Sequence, residues 1–308
     1  MNIRKLSAAI LAGAAGGTLL LSASAAGAAV TPSHHRSSGR DAIKSATVRL
    51  AAPRVPFSLP TGYTVVTKAF TAYAGSQTPV AVQCPGTEQP TGGGAWVASS
   101  DLSVNINSSL PEGSSWAVDV NNPLTTPTNA TVYAVCMAHS RYYKVVSSGP
   151  ATVAPEQVNS TAAVCPTGTT VVGGGGQSST ANTDVSINST VPNLFAGGHT
   201  GWRVAMASSD LYTTNFTAYA VCRPKPTGYS IQTGGTVVNG PYSETQAYVT
   251  CPGASVPIGG GGFSNYQQYD GWIGMNSSYP QGDAWVIYEN NYENLTKSAA
   301  AMAICAGS

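Results

Sequence analysis

One pattern constrains this chain more than any other: a set of landmarks recurs three times at nearly fixed spacing. Three segments end alike, as Thr131-Val-Tyr133-Ala-Val-Cys136, Thr217-Ala-Tyr219-Ala-Val-Cys222 and Ala299-Ala-Ala-Met302-Ala-Ile-Cys305. A Trp stands 20 residues before each closing Cys, at Trp116, Trp202 and Trp285. Each segment opens on Cys-Pro, at Cys84, Cys165 and Cys251, and a glycine run starts 8 residues later, at Gly92, Gly173 and Gly259. Asn-Ser-Ser/Thr-x-Pro follows from Asn107, Asn188 and Asn276, and a Tyr precedes each opening Cys, at Tyr63, Tyr143 and Tyr229. Internal periods of this kind mark a chain built from one repeated unit.

The spacings also separate strand from loop. Trp-to-Cys and Cys-to-glycine distances are invariant, whereas Pro-to-Trp is 5, 10 and 5, and glycine run to Asn is 15, 15 and 17. Invariant distances mark strands held in register, and variable ones mark surface loops. Trp116, Val118 and Val120 alternate onto one face, as do Val132, Ala134 and Cys136. Period-2 alternation bounded by Gly, Pro, Asn and Ser runs throughout, with no amphipathic 3.6 period over three turns. The expected fold class is all-β, with three disulfide-stapled antiparallel repeats of about 80 residues. Short joins between units favour a β-prism-like body of pseudo-threefold symmetry; three tandem β-sandwiches are the alternative.

Six Cys allow 15 pairings, but two per unit at equivalent places imply Cys84–Cys136, Cys165–Cys222 and Cys251–Cys305. Closing loops of 52, 57 and 54 residues, each bridge is worth about 4 kcal/mol by loop entropy. Disulfides need an oxidising compartment, and the N-terminus offers the route. Met1 to Lys5 is a basic head, Leu6 to Leu21 is apolar, and Ala23-Ser24-Ala25 and Ala26-Gly27-Ala28 suit a signal peptidase. The expected organisation is a signal peptide at 1–28, a basic Pro/Ser-rich arm at 29–61, and β repeats at 62–141, 142–227 and 228–308. A secreted, extracellular protein with no membrane span follows.

Composition narrows the function. Only 9% of residues are charged, 14 Lys and Arg against 13 Asp and Glu, and the repeats hold 7 basic and 12 acidic residues. Such a surface is a poor partner for nucleic acid. The glycine runs lack the Lys-Ser/Thr of a phosphate loop, so a bulge, bend or close strand packing accounts for them. No Gly-x-Ser-x-Gly elbow is present, and His34, His35, His139 and His199 follow no repeat position. Neither a cofactor, a metal site nor a catalytic residue is expected. The Asn-Ser-Ser/Thr tripeptides match a glycosylation sequon, although their fixed place suggests turn geometry.

Aromatics outside the repeat pattern concentrate in the third unit, beside amides and carboxylates. Flat rings next to donors and acceptors suit sugars, and Tyr266, Tyr269, Asp270, Trp272, Tyr279 and Tyr288 are the candidate ligand-binding residues. The expected function is non-catalytic binding of a glycan or cell-envelope polymer. A structural or self-associating surface protein is the alternative, and a secreted glycan- or peptide-degrading enzyme a second one.

The module Cys-Pro-x6-Gly-Gly-Gly … Ser-x-Pro … Trp-x-Val … Tyr-Ala-Val-Cys resembles one that recurs in uncharacterised secreted proteins of actinobacteria, over about 62–308. More distantly, three disulfide-bearing β repeats are similar in pattern to the β-prism of vitelline membrane outer layer protein. The resemblance implies a secreted β body and transfers no residue role.

Overall fold

The computed structural model describes residues 58–307. The leader and the arm up to residue 57, with His34 and His35, lie outside the described residues. The first segment forms β1 (Thr64–Ala72), β2 (Ser76–Gln83), β3 (Gln89–Val97), β4 (Asn105–Glu112), β5 (Ser115–Asn122) and β6 (Thr128–Met137). The second forms β7 (Lys144–Val153), β8 (Gln157–Val164), β9 (Thr170–Ser178), β10 (Val185–Leu194), β11 (Thr200–Ser208) and β12 (Thr214–Arg223). In the third, β13 (Ser230–Thr233) and β14 (Val237–Asn239) precede β15 (Ser243–Thr250), β16 (Val256–Ser264), β17 (Ile273–Gln281), β18 (Ala284–Asn291) and β19 (Lys297–Ala306). The described residues contain no α-helix, only a 3-10 turn at Ala196–Gly198. No helix among them is long and apolar enough to cross a membrane.

The strands form three antiparallel sheets, and each draws on two segments. Sheet A runs β1-β6-β3-β17-β18-β15, sheet B runs β2-β5-β4-β9-β12-β7, and sheet C runs β13-β19-β16-β10-β11-β8 with β14 also on β19. Each segment therefore splits, lending its first, third and sixth strands to one sheet and its second, fourth and fifth to another. Three tandem sandwiches do not describe this chain, because no segment pairs only with itself. Each disulfide joins the two sheets that one segment feeds: Cys84–Cys136, Cys165–Cys222 and Cys251–Cys305, with Cα separations of 5.7, 5.6 and 5.6 Å.

The glycine runs explain how the half-sheets meet. The strands β3, β9 and β16 each carry a bulge, which takes Thr91, Val172 and Ile258 out of register and buries them fully. The following glycines meet in a closed circuit, with the Cβ positions of Gly92, Gly173 and Gly259 facing Gly259 Cα, Gly92 Cα and Gly173 Cα. One residue on, Gly93, Gly174 and Gly260 lie against the rings of Trp116, Trp202 and Trp285. Those three indoles are fully buried, and their Nε1 atoms donate to Ser109 Oγ, Thr190 Oγ1 and Ser278 Oγ at 2.9, 2.7 and 3.0 Å. A buried Trp keeps its large apolar area out of water only if its N–H is satisfied, and here it is.

At the disulfide end a second circuit closes. Tyr63 Oη donates to Pro257 O, Tyr143 Oη to Pro90 O and Tyr229 Oη to Val171 O, at 3.3, 2.8 and 2.9 Å. Each bond reaches a different segment, and burial pushes the Tyr63 phenol up to about 12.

Asn107, Asn188 and Asn276 sit on bulges inside β4, β10 and β17 rather than in turns, all three buried. Each side-chain amide donates across to the next segment: Asn107 to Val185 O, Asn188 to Ile273 O and Asn276 to Val104 O, at 2.8, 3.1 and 3.1 Å. Each carboxamide oxygen accepts from the following Ser at 2.7–2.8 Å. A glycan cannot be attached to such an amide without breaking the seam. Asn188→Ala would strand a buried carbonyl and two hydroxyls, so a loss of about 2–3 kcal/mol is expected. Denaturant titration would measure it, and a change under 0.5 kcal/mol would refute the role.

Candidate functional site

Opposite the disulfides, nine loops gather at what we call the open end. Three of them, at 98–104, 179–184 and 265–272, enter the strands that carry the bulged Asn residues. They close with the same turn, Val104 N donating to Asp101 O, Val185 N to Asn182 O and Ile273 N to Asp270 O. These loops are held from the neighbouring segment, since Val104 O, Val185 O and Ile273 O are the carbonyls that the buried Asn amides grip.

Between these loops lies a cavity of about 180 Å³. Its wall consists of four rings of three residues, one from each segment at the same repeat position. Leu102, Thr183 and Gly271 form the first, and Ser103, Asp184 and Trp272 the second. The third is Asn105, Ser186 and Gly274, and the fourth is Pro123, Ser209 and Tyr292. The cavity thus sits where the three segments converge. The frame around it repeats, with Asn in all three segments and a buried Trp in all three. The lining does not: no ring keeps one residue type. On a threefold frame, the wall presents an indole and a phenol on one side and hydroxyls with a carboxylate on the others.

Trp272 is half-exposed and lies 6.0 Å from the Tyr292 ring, which meets Tyr242 edge-on at 6.2 Å. Asp270 does not line the cavity. It is buried, accepts from Lys297 Nζ at 2.6 Å and from the Gln267 backbone N–H, and so anchors the loop that presents Trp272. Burial, and then the Asp270 charge, raise the Glu293 carboxyl beside this pair, against the pull of Lys297. Tyr269 projects from the same loop with 71% of its surface exposed.

The other candidates lie elsewhere. Tyr266 packs on Val158, Ala205 and Ala207 and borders a shallow groove on sheet C. Tyr279 is buried on the outer face of sheet A, stacked on Tyr133 at 5.2 Å, with its phenol pushed up to about 12 by burial and by Tyr288 and Tyr133. Tyr288 is half-buried beside it. The six residues therefore occupy three places, and only Trp272 lines the cavity.

The residues that sequence reasoning passed over are Ser103, Asp184, Ser186 and Tyr292. The repeat itself held the signal for two of them, because Ser103 and Asp184 stand four residues before Asn107 and Asn188, as Trp272 stands four before Asn276. The cavity wall contains one carboxylate and no imidazole or thiol. His139 and His199 lie at the disulfide end, and no group of three metal-ligating side chains occurs among the described residues. No protein-family model matches this chain, and no curated protein matches it either.

Proposed function

We propose that this chain is a secreted, non-catalytic binding protein that holds a saccharide unit of a glycan or cell-envelope polymer in the cavity at its open end. The observation that carries this reading is the unequal lining of an otherwise threefold frame, where structural positions repeat and only the cavity wall diversifies. Sugars need a flat apolar face for their CH groups and several hydrogen-bonding groups for their hydroxyls. Trp272 and Tyr292 supply the first, and Ser103, Asn105, Thr183, Asp184, Ser186 and Ser209 the second. At about 30 Å³ per water, the cavity holds about six waters, the scale of one ring rather than an oligosaccharide. Hydrolysis of a glycosidic bond uses two carboxyl groups, and this wall has one, which favours binding over catalysis. The three disulfides suit an oxidising compartment, in keeping with the leader read from the sequence.

A glycan panel and cell-wall pull-down would test the reading. The parent chain is expected to bind at least one polysaccharide, and Trp272→Ala to weaken binding at least tenfold, equivalent to 1.4 kcal/mol. Tyr248→Ala, on the exposed outer face of sheet A, should leave it unchanged. Absence of any polysaccharide binding, or equal loss in both variants, would sink the proposal.

A further inference from the structure

Charge is sorted along this molecule. The open-end loops carry Asp101, Glu156, Asp184, Asp210, Asp270 and Glu293 and no basic residue. The nearest cation, Lys297 at the start of β19, is buried and neutralised by Asp270. The disulfide end instead holds Arg141, Lys144, Arg223 and Lys225 beside Glu88, Glu112 and Asp283. A concave site ringed by one sign of charge focuses potential and concentrates counter-ions. We infer that the unit seated in the cavity bears a free, protonated amine, which makes the ligand an amino sugar without an acetyl group rather than a neutral or acidic hexose. This rests on the saccharide reading above and specifies its ligand.

Four features of the wall fit such a ligand. Asp184 and Trp272 occupy the same ring from different segments, so an ammonium between them meets a carboxylate and an aromatic face together. The charge-assisted hydrogen bond and the cation–π attraction both favour a cation, and Tyr292 extends the aromatic surface. The Asp184 side chain makes no hydrogen bond or ion pair to the described residues; only its backbone is engaged, with Asn182 and Ser209. Ser186, only 7% exposed, lines the cavity beside Gly274, and its hydroxyl has no partner among the described residues. That hydroxyl reaches the cavity, where a ligand hydroxyl or amine can take the place of water. Gly271 and Gly274 add no side chain beside Trp272 and Tyr292 on the aromatic side of the wall. An acetyl group would remove the positive charge and add three heavy atoms to a space of about 180 Å³.

The test is calorimetric titration of the full chain with three β-1,4-linked tetrasaccharides of one backbone: glucosamine, N-acetylglucosamine and glucose. The free-amine tetramer is expected to bind at least tenfold more tightly than the other two. Asp184→Asn should cut its affinity about tenfold and that of the other two, where they bind, less than threefold, while Trp272→Ala weakens whichever tetramers bind. Asp101→Asn removes a charge from the same end but outside the cavity wall, and should cost less than threefold. Equal affinity for free-amine and neutral tetramers, or equal effects of Asp184→Asn and Asp101→Asn, would overturn the amine assignment while leaving saccharide binding intact. If none of the three binds but another glycan does in a Trp272-dependent way, the amine assignment alone falls. If no glycan binds at all, both readings fall. Unchanged thermal melting of Asp184→Asn shows that a lost affinity is not lost folding.

Discussion

Gly175→Ala is expected to lower stability by about 5 kcal/mol or to prevent folding altogether. The strand β9 meets β4 of another segment at a single register pair, Ser109 with Gly176. A methyl group on Gly175 would land on Ser109 O, with Ser109 C and Leu110 Cα close behind. All three are backbone atoms, so no side chain can swing aside, and the two half-sheets of sheet B must part. Gly94 against Ser278 O and Gly261 against Thr190 O repeat the situation at the other two seams. Overpacking an ordinary core costs about 1–3 kcal/mol. A clash that opens a seam between sheets belongs to the larger, exceptional class and rivals the whole stability of a typical domain. Gly235→Ala is the control, since nothing lies within 4 Å of its Cβ position and a change within about 0.5 kcal/mol is expected. Chemical denaturation of both variants decides the point, and a Gly175→Ala chain within about 1 kcal/mol of the parent would refute the seam argument.

The same seams show what can and cannot be read from a sequence of this kind. Strand positions and the disulfide pairs followed from fixed spacing, because paired strands tolerate no slip once one face is buried. Partner choice was not legible. The pairs Ser278 with Ala95, Ser109 with Gly176 and Thr190 with Gly262 join segments that lie far apart in the chain. The same alternating pattern would also satisfy strands that pair within one segment. The Asn-Ser-Ser/Thr tripeptides suggest turns because Asn and Ser favour turns. Their bulge role depends on carbonyls more than 70 residues away. Aromatic density draws attention to the third segment, which contributes Trp272 and Tyr292 to the cavity wall. Asp270 looks like a ligand-facing acid because its buried partner Lys297 stands 27 residues further on, at the start of β19. Asp184 carries no such mark, because the sequence around it holds no aromatic residue. Aligning the three segments on their buried Asn would have exposed Ser103, Asp184 and Trp272 as one diversified position.

That alignment also isolates Glu289. It stands four residues after Trp285, where the other segments place Val120 and Met206, and like them it is fully buried. Neither carboxyl oxygen has a hydrogen-bond partner among the described residues. Burial pushes this carboxyl well above its ordinary range, and Glu244 on the neighbouring β15 is raised to about 7 by the same cause. Both groups bind protons more tightly in the folded chain than in the unfolded one. Their contribution is therefore fully present below about pH 4.5 and is lost as pH rises towards and through their folded values, by about 1.4 kcal/mol per pH unit for each proton released on unfolding. The chain is accordingly expected to be more stable at pH 4.5–5 than at pH 7, the reverse of a protein held by ion-paired carboxylates. Replacing a buried, unpartnered acid by an apolar side chain of similar volume removes a desolvation cost of a few kcal/mol. Glu289→Met should thus stabilise the chain by about 3 kcal/mol at pH 7, change it much less at pH 4.5, and leave a shallower pH slope due to Glu244, with further parts from Glu293 and Asp119. Adding Glu244→Gln should flatten most of that remainder. Denaturant midpoints at pH 4.5, 6 and 7 provide the measurement. A Glu289→Met chain with the parent's pH slope, or with lower stability at pH 7, would show that the carboxyl finds a partner or water in solution and is not a desolvated acid.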